Sequence, residues 1–116
     1  MTQLSPAPSG FQTAPTDLTA LPTDLQTLDL NSIDSKAELM HALARTLHLP
    51  AHFGHNWDAL YDLLSDPDAR TSAALYLTHW GEFQARRPEL AGPLRSVLLD
   101  AQEALHTAGI PLWLLV

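Results

Sequence analysis

Ile110-Pro-Leu-Trp-Leu-Leu-Val116 is an apolar run of strand length with no polar alternation. A run of this kind reads as a strand covered on both faces, the habit of parallel sheets. The residues before it agree. Gly92-Pro93 reads as a helix start, with proline suited to the first turn. Leu94, Val97, Leu98, Ala101, Ala104, Leu105 and Ala108 line one face of that helix, and Gly109 ends it. Arg95, Gln102, Glu103 and His106 form its polar side.

Further towards the amino terminus, Ala73–Leu77 reads as a second buried strand, followed by a short helix over His79–Arg86 that Arg87-Pro88 closes. Leu25–Leu30 supplies a first strand. Ser35 and Glu38 have the spacing of a capping box; behind them Leu39, Met40, Leu43, Ala44 and Leu47 form an apolar stripe running towards Pro50. Gly54 interrupts the chain, and Asn56 suits the N-cap of a helix reaching about Leu64. Ser65–Ser72 has loop composition. Strands joined through helices predict an α/β domain with three parallel strands and about four helices, connected by right-handed crossovers. It spans residues 25–116. Residues 1–24, with four prolines and no sustained periodicity, read as a flexible leader.

The chain has 116 residues, 46% of them apolar, and no cysteine. That allows one domain with an ordinary core. It excludes disulfides, thiolate metal sites and cysteine nucleophiles, and fits a reducing, cytoplasmic setting. The leader lacks the basic start and apolar stretch of a secretory signal. The formal net charge is −7, which disfavours direct binding to nucleic acid or anionic membrane. That charge is uneven. Residues 46–69 hold Asp58, Asp62, Asp66 and Asp68 with no Lys or Arg, whereas residues 70–116 balance four acids against four arginines.

Leu49-Pro-Ala-His-Phe-Gly-His-Asn-Trp-Asp-Ala-Leu-Tyr-Asp-Leu-Leu64 lies in the acidic window. Asp58 and Asp62, four apart, share one helix face. Asp58 suits the first turn, where the helix dipole favours an anion; Asp62 sits mid-helix with no such reason. His52, His55, Asp58 and Asp62 could in principle hold a metal, but their spacing matches no zinc motif. Two carboxylates alone, without a cleft or a shifted pKa, do not make a hydrolase. No phosphate loop, dinucleotide fingerprint or nucleophile elbow is present. The expectation is therefore no enzyme activity, no cofactor and no metal. Trp57, Trp80 and Trp113 read as core residues, and Tyr61, between two aspartates, as either a half-buried core residue or the edge of an exposed surface.

This stretch resembles the barstar family of intracellular ribonuclease inhibitors. The pattern L-P-x-x-[FY]-G-x-N-x-D-A-L-x-D-x-L is met by Leu49, Pro50, Phe53, Gly54, Asn56, Asp58, Ala59, Leu60, Asp62 and Leu64. The likeness continues through Trp80-Gly-Glu-Phe83, Ser96-Val-Leu98 with Glu103, and the apolar final strand. It implies a three-stranded parallel sheet with helices. It also implies a basic, barnase-type ribonuclease as partner, its phosphate pocket entered by Asp62 and its basic groups met by Asp58 and Glu103, with carboxylates standing in for RNA phosphates. Gly54, Asn56, Tyr61 and His52 fall in the same contact region. At two of those positions the chain departs from the prototype: His52 replaces a tyrosine and Tyr61 a tryptophan. Asp66-Pro67 likewise stands where the prototype has Gly-Trp. A barstar-like domain for another basic protein, or less readily a His/Asp metal protein, is the alternative. The free chain is expected to be a monomer.

Overall fold

The computed structural model describes residues 10–13, 25–50, 53–66, 68 and 74–116. Its elements, in order, are β1 (Phe11–Gln12), β2 (Leu25–Asp29), α1 (Lys36–Thr46), α2 (Trp57–Ser65), β3 (Ala74–Thr78), α3 (Trp80–Arg86), α4 (Pro88–Thr107) and β4 (Trp113–Leu115). The sheet runs β1-β4-β3-β2 with every pairing parallel. Leu25 stands beside Ala74, and Ala74 beside Trp113. Two helices lie between β2 and β3 in the chain and two between β3 and β4, as parallel strands require. Consecutive residues Leu114 and Leu115 are both buried, so β4 is covered on both faces.

The class is α/β as expected, but the sheet has four strands, not three. The extra strand, β1, falls inside the stretch read as leader. Two residues offer no alternation to detect among prolines, and tertiary contacts described below hold them. The remaining leader residues, 1–9 and 14–24, lie outside the described residues.

The ends of the helices follow local chemistry. Ser35 Oγ accepts the Glu38 N–H at 3.1 Å and donates to Glu38 Oε1 at 3.3 Å, so this box closes through the hydroxyl. α1 stops at Thr46, ahead of Pro50. His48 takes the left-handed conformation (φ 54°), and the Leu49 N–H reaches back to the Ala44 carbonyl at 2.9 Å. Gly109 (φ 80°) ends α4 in the same way, with Ile110 N–H on the Leu105 carbonyl at 2.8 Å. α4 starts at Pro88 rather than at Gly92-Pro93, a correction with a simple cause. Pro88 already fills the first-turn position that suits proline, and Pro93 lies inside the helix, where its missing N–H leaves the Glu89 carbonyl without that partner.

The core runs through Leu28, Leu39, Leu43, Leu60, Leu75, Leu77, Phe83, Leu94, Leu98 and Leu114. Trp57 and Trp80 pack at its margin, half-buried, and Trp113 is also only half-buried. Gln102, read as part of the polar side of α4, is instead buried. α2 packs against α4, which places the acidic helix.

Candidate functional site

Helix α2 is anchored by one fully buried residue, Leu60, with Trp57, Ala59, Leu63 and Leu64 packed at the core margin. Its cap is built from the residues preceding it. Asn56 Oδ1 accepts the Ala59 N–H at 2.8 Å, and Asn56 Nδ2 donates to the Gly54 carbonyl at 3.2 Å. A side chain on Gly54 would bring its Cβ to 3.1 Å from Asn56 Nδ2, crowding that cap. Asn56 and Gly54 thus orient the helix that carries the carboxylates. The cost of losing such a cap is about 1 kcal/mol.

With the helix set, Asp58 and Asp62 project beside α4. A cleft of about 750 Å³ lies between the two helices, lined by Trp57, Asp58, Tyr61, Asp62, Val97, Asp100, Glu103 and Ala104. The structure therefore brings together four expected site residues: Asp58, Asp62, Tyr61 and Glu103. It adds a carboxylate that sequence reasoning missed, Asp100. Asp100 and Glu103 are three apart, and so share a face of α4, but residues 70–116 carry no net charge, so Asp100 does not stand out in the sequence. The signal was their spacing, readable only once α2 is known to lie against that face.

The electrostatics of the cleft are one-sided. Asp58, Asp62, Asp100 and Glu103 are all exposed, and none has an ion-pair partner among the described residues. α2 itself contains no basic residue. The cleft also has an aromatic and aliphatic lining from Trp57, Tyr61 and Val97, and the Lys36 ammonium lies 5.8 Å from the centre of the Trp57 ring. Fixed carboxylates around a half-apolar cleft suit guanidinium or ammonium groups presented by a partner.

His55 does not join them. His55, left-handed at φ 53°, packs against His41 (ring centres 4.8 Å apart) and Phe53 (5.0 Å), and it is not among the cleft-lining residues. His52 lies outside the described residues. No group of three or more His, Asp or Glu placed to hold a metal ion occurs among the described residues. Among the same residues, no helix is long and apolar enough to cross a membrane.

Comparison with known proteins adds a family to this geometry. The model of the family Barstar (barnase inhibitor) matches residues 23–116. No curated protein matches the sequence. The match takes in β2, β3, β4 and both helices of the cleft, and on that extent the chain belongs to the barstar family.

Proposed function

We propose that this chain is a non-enzymatic inhibitor that binds a basic ribonuclease of the barnase type and blocks its active site with the carboxylates of the α2–α4 cleft. The observation that carries the reading is that Asp58, Asp62, Asp100 and Glu103 converge on one cleft without an ion-pair partner among the described residues, in a chain of the barnase-inhibitor family. A nuclease site holds RNA phosphates with Arg, Lys and His. Carboxylates fixed on a helix present the same sign of charge at no cost in ordering a flexible chain. Asp62, mid-helix, is the residue assigned to the phosphate pocket; Asp58 and Glu103 flank it. Tyr61, Asn56, Gly54 and His52 belong to the same contact region. Action inside the producing cell follows from this role.

The experiment is an RNA-cleavage assay with a barnase-type ribonuclease, with the wild-type chain and with Asp62→Ala. The wild type abolishes cleavage at equimolar concentration, and Asp62→Ala needs a large excess. Inhibition that is unchanged in Asp62→Ala refutes the assigned mechanism. No inhibition of any such ribonuclease, together with capture of another basic protein, points to the interaction-domain alternative.

A further inference from the structure

The sheet extends beyond the region that matches the family. β1 precedes residue 23, where the match begins, yet it forms the outer strand beside β4. Its seat is made of residues from inside the match. Gln102, 6% exposed, is the central piece. Its Oε1 accepts the Gly10 N–H at 2.7 Å, and its Nε2 donates to the Leu112 carbonyl at 2.8 Å. A buried amide is costly unless its hydrogen bonds are made, so the glycine backbone helps satisfy a group that the core of α4 encloses. One residue on, the Phe11 ring stands edge-on to Trp80 with centres 5.0 Å apart, and the Arg95 guanidinium lies 5.7 Å from its centre. Gln12 then accepts the Val116 N–H at 2.9 Å. Gly10 has φ 90°, a conformation that a side chain resists even though the space around it is open.

Main-chain pairing along a sheet edge with one side-chain slot is the way sheets accept extended peptides. We propose that the β4 edge, with Gln102, Trp80 and Arg95, is a binding site for an extended Gly-aromatic segment, filled in the folded chain by Gly10–Gln12. Two paired residues give little intrinsic affinity. Tethering by the twelve residues 13–24 compensates by holding the segment at an effective concentration on the order of millimolar. Occupation also covers Leu114–Val116, an apolar stretch that would otherwise be an open strand edge. A Gly-Phe segment supplied in trans competes for the same place once the chain's own is weakened.

The test uses the full chain and amide hydrogen exchange at Val116, read by NMR, with the β3 amides as the control for folding. Phe11→Ser speeds exchange at Val116 by about tenfold or more, the factor that corresponds to losing an aromatic contact, and leaves β3 protected. A peptide copying residues 8–14, added at millimolar concentration, restores slow exchange in that variant; the same peptide with serine for its phenylalanine does not. Gly10→Ala, which removes no contact and only strains φ, gives a smaller acceleration, and it carries the test if Phe11→Ser loses β3 protection. The proposal is overturned if Val116 exchanges at the wild-type rate in a folded variant, or if the two peptides act alike.

Discussion

Acidic side chains occur in this chain in two settings that differ in what faces them. Near the end of β2, Asp29 Oδ1 accepts the Asn31 N–H at 2.9 Å and the Thr78 hydroxyl at 3.1 Å, and lies 2.9 Å from His79 Nδ1. Asp34 meets Arg86 at 3.1 Å and Arg87 at 3.9 Å, and Glu89 lies 3.6 Å from Arg87. In the cleft, Asp58, Asp62, Asp100 and Glu103 line the same space as an apolar surface. Residue type and exposure are the same in both places. The difference, among the described residues, is where the cations went: Arg86 and Arg87 pair with carboxylates at the first site, whereas Arg95 lies over Phe11 and Lys36 over Trp57, and neither pairs with a cleft carboxylate. A carboxylate with an internal cation is part of the scaffold. One held among like charges keeps a repulsion that an external cation relieves.

Substituting one residue in each setting should therefore affect different measurements. Asp62→Ala is expected to weaken ribonuclease binding by about 2–5 kcal/mol, the range for truncating one partner of a buried ion pair, which measurements on barnase and barstar themselves helped define. Its urea midpoint does not fall, and rises slightly at low salt as the repulsion with Asp58 is lost and a better helix former takes the position. Calorimetric titration and a denaturant curve read the two separately. Association also slows with added salt, because exposed charges are screened beyond about 8 Å at physiological ionic strength. A wild-type affinity in Asp62→Ala would place this carboxylate outside the interface.

Arg86→Ala should reverse the pattern. Arg86 Nη2 donates to the carbonyls of Leu30 (3.0 Å), Asn31 (3.3 Å) and Ile33 (2.9 Å), while its Nε meets Asp34. It staples the β2–α1 connection to α3. Removing it leaves part-buried carbonyls unpaired, and a loss of about 2–3 kcal/mol of stability is expected, measured by urea unfolding, with inhibition per folded molecule unchanged. An unaltered midpoint would mean that water replaces the staple without cost.

How far these two settings could be read in the sequence depends on the range of the forces involved. The caps at Ser35 and Asn56 are contacts three residues long, and both are where the spacing put them. The doubly apolar run at Ile110–Val116 placed β4, although the strand itself covers only Trp113–Leu115. Asp58 and Asp62 share a face by helix geometry alone. What was not legible lies between segments: Asp100 joins the cleft only through the packing of α2 on α4, and β1 is held by residues far along the chain, Trp80, Arg95, Gln102 and the β4 edge, with Gln102 ninety-two residues away from Gly10. Asp34 and Arg86, fifty-two residues apart, make another pair that no local pattern announces.

A smaller effect isolates the repulsion itself. The single substitution Asp62→Asn removes the like charge four residues from Asp58 and leaves Asp58 at the helix start, so the free protein should gain about 0.2–0.5 kcal/mol at low salt, with the gain fading as salt rises. Asp34→Asn should move the midpoint the other way. Equal signs for the two would show that the cleft carboxylates are stabilised by something within the chain.

The smallest expected effect concerns Asp29. The Asn31 N–H above all, then His79, favour its charged form and hold its carboxyl below the ordinary value for an aspartate. A depressed folded value fixes the sign: the stabilisation is complete above the ordinary carboxylate value and is lost as pH falls through the folded one. Asp29→Asn should therefore be less stable than the wild type near neutrality, and the gap should close on acidification. Urea midpoints of the two proteins between about pH 2 and pH 6 follow that gap. If it stays constant across the range, then the contacts at Asp29 depend on its shape and not on its charge, and the two acidic settings differ less in electrostatics than in packing.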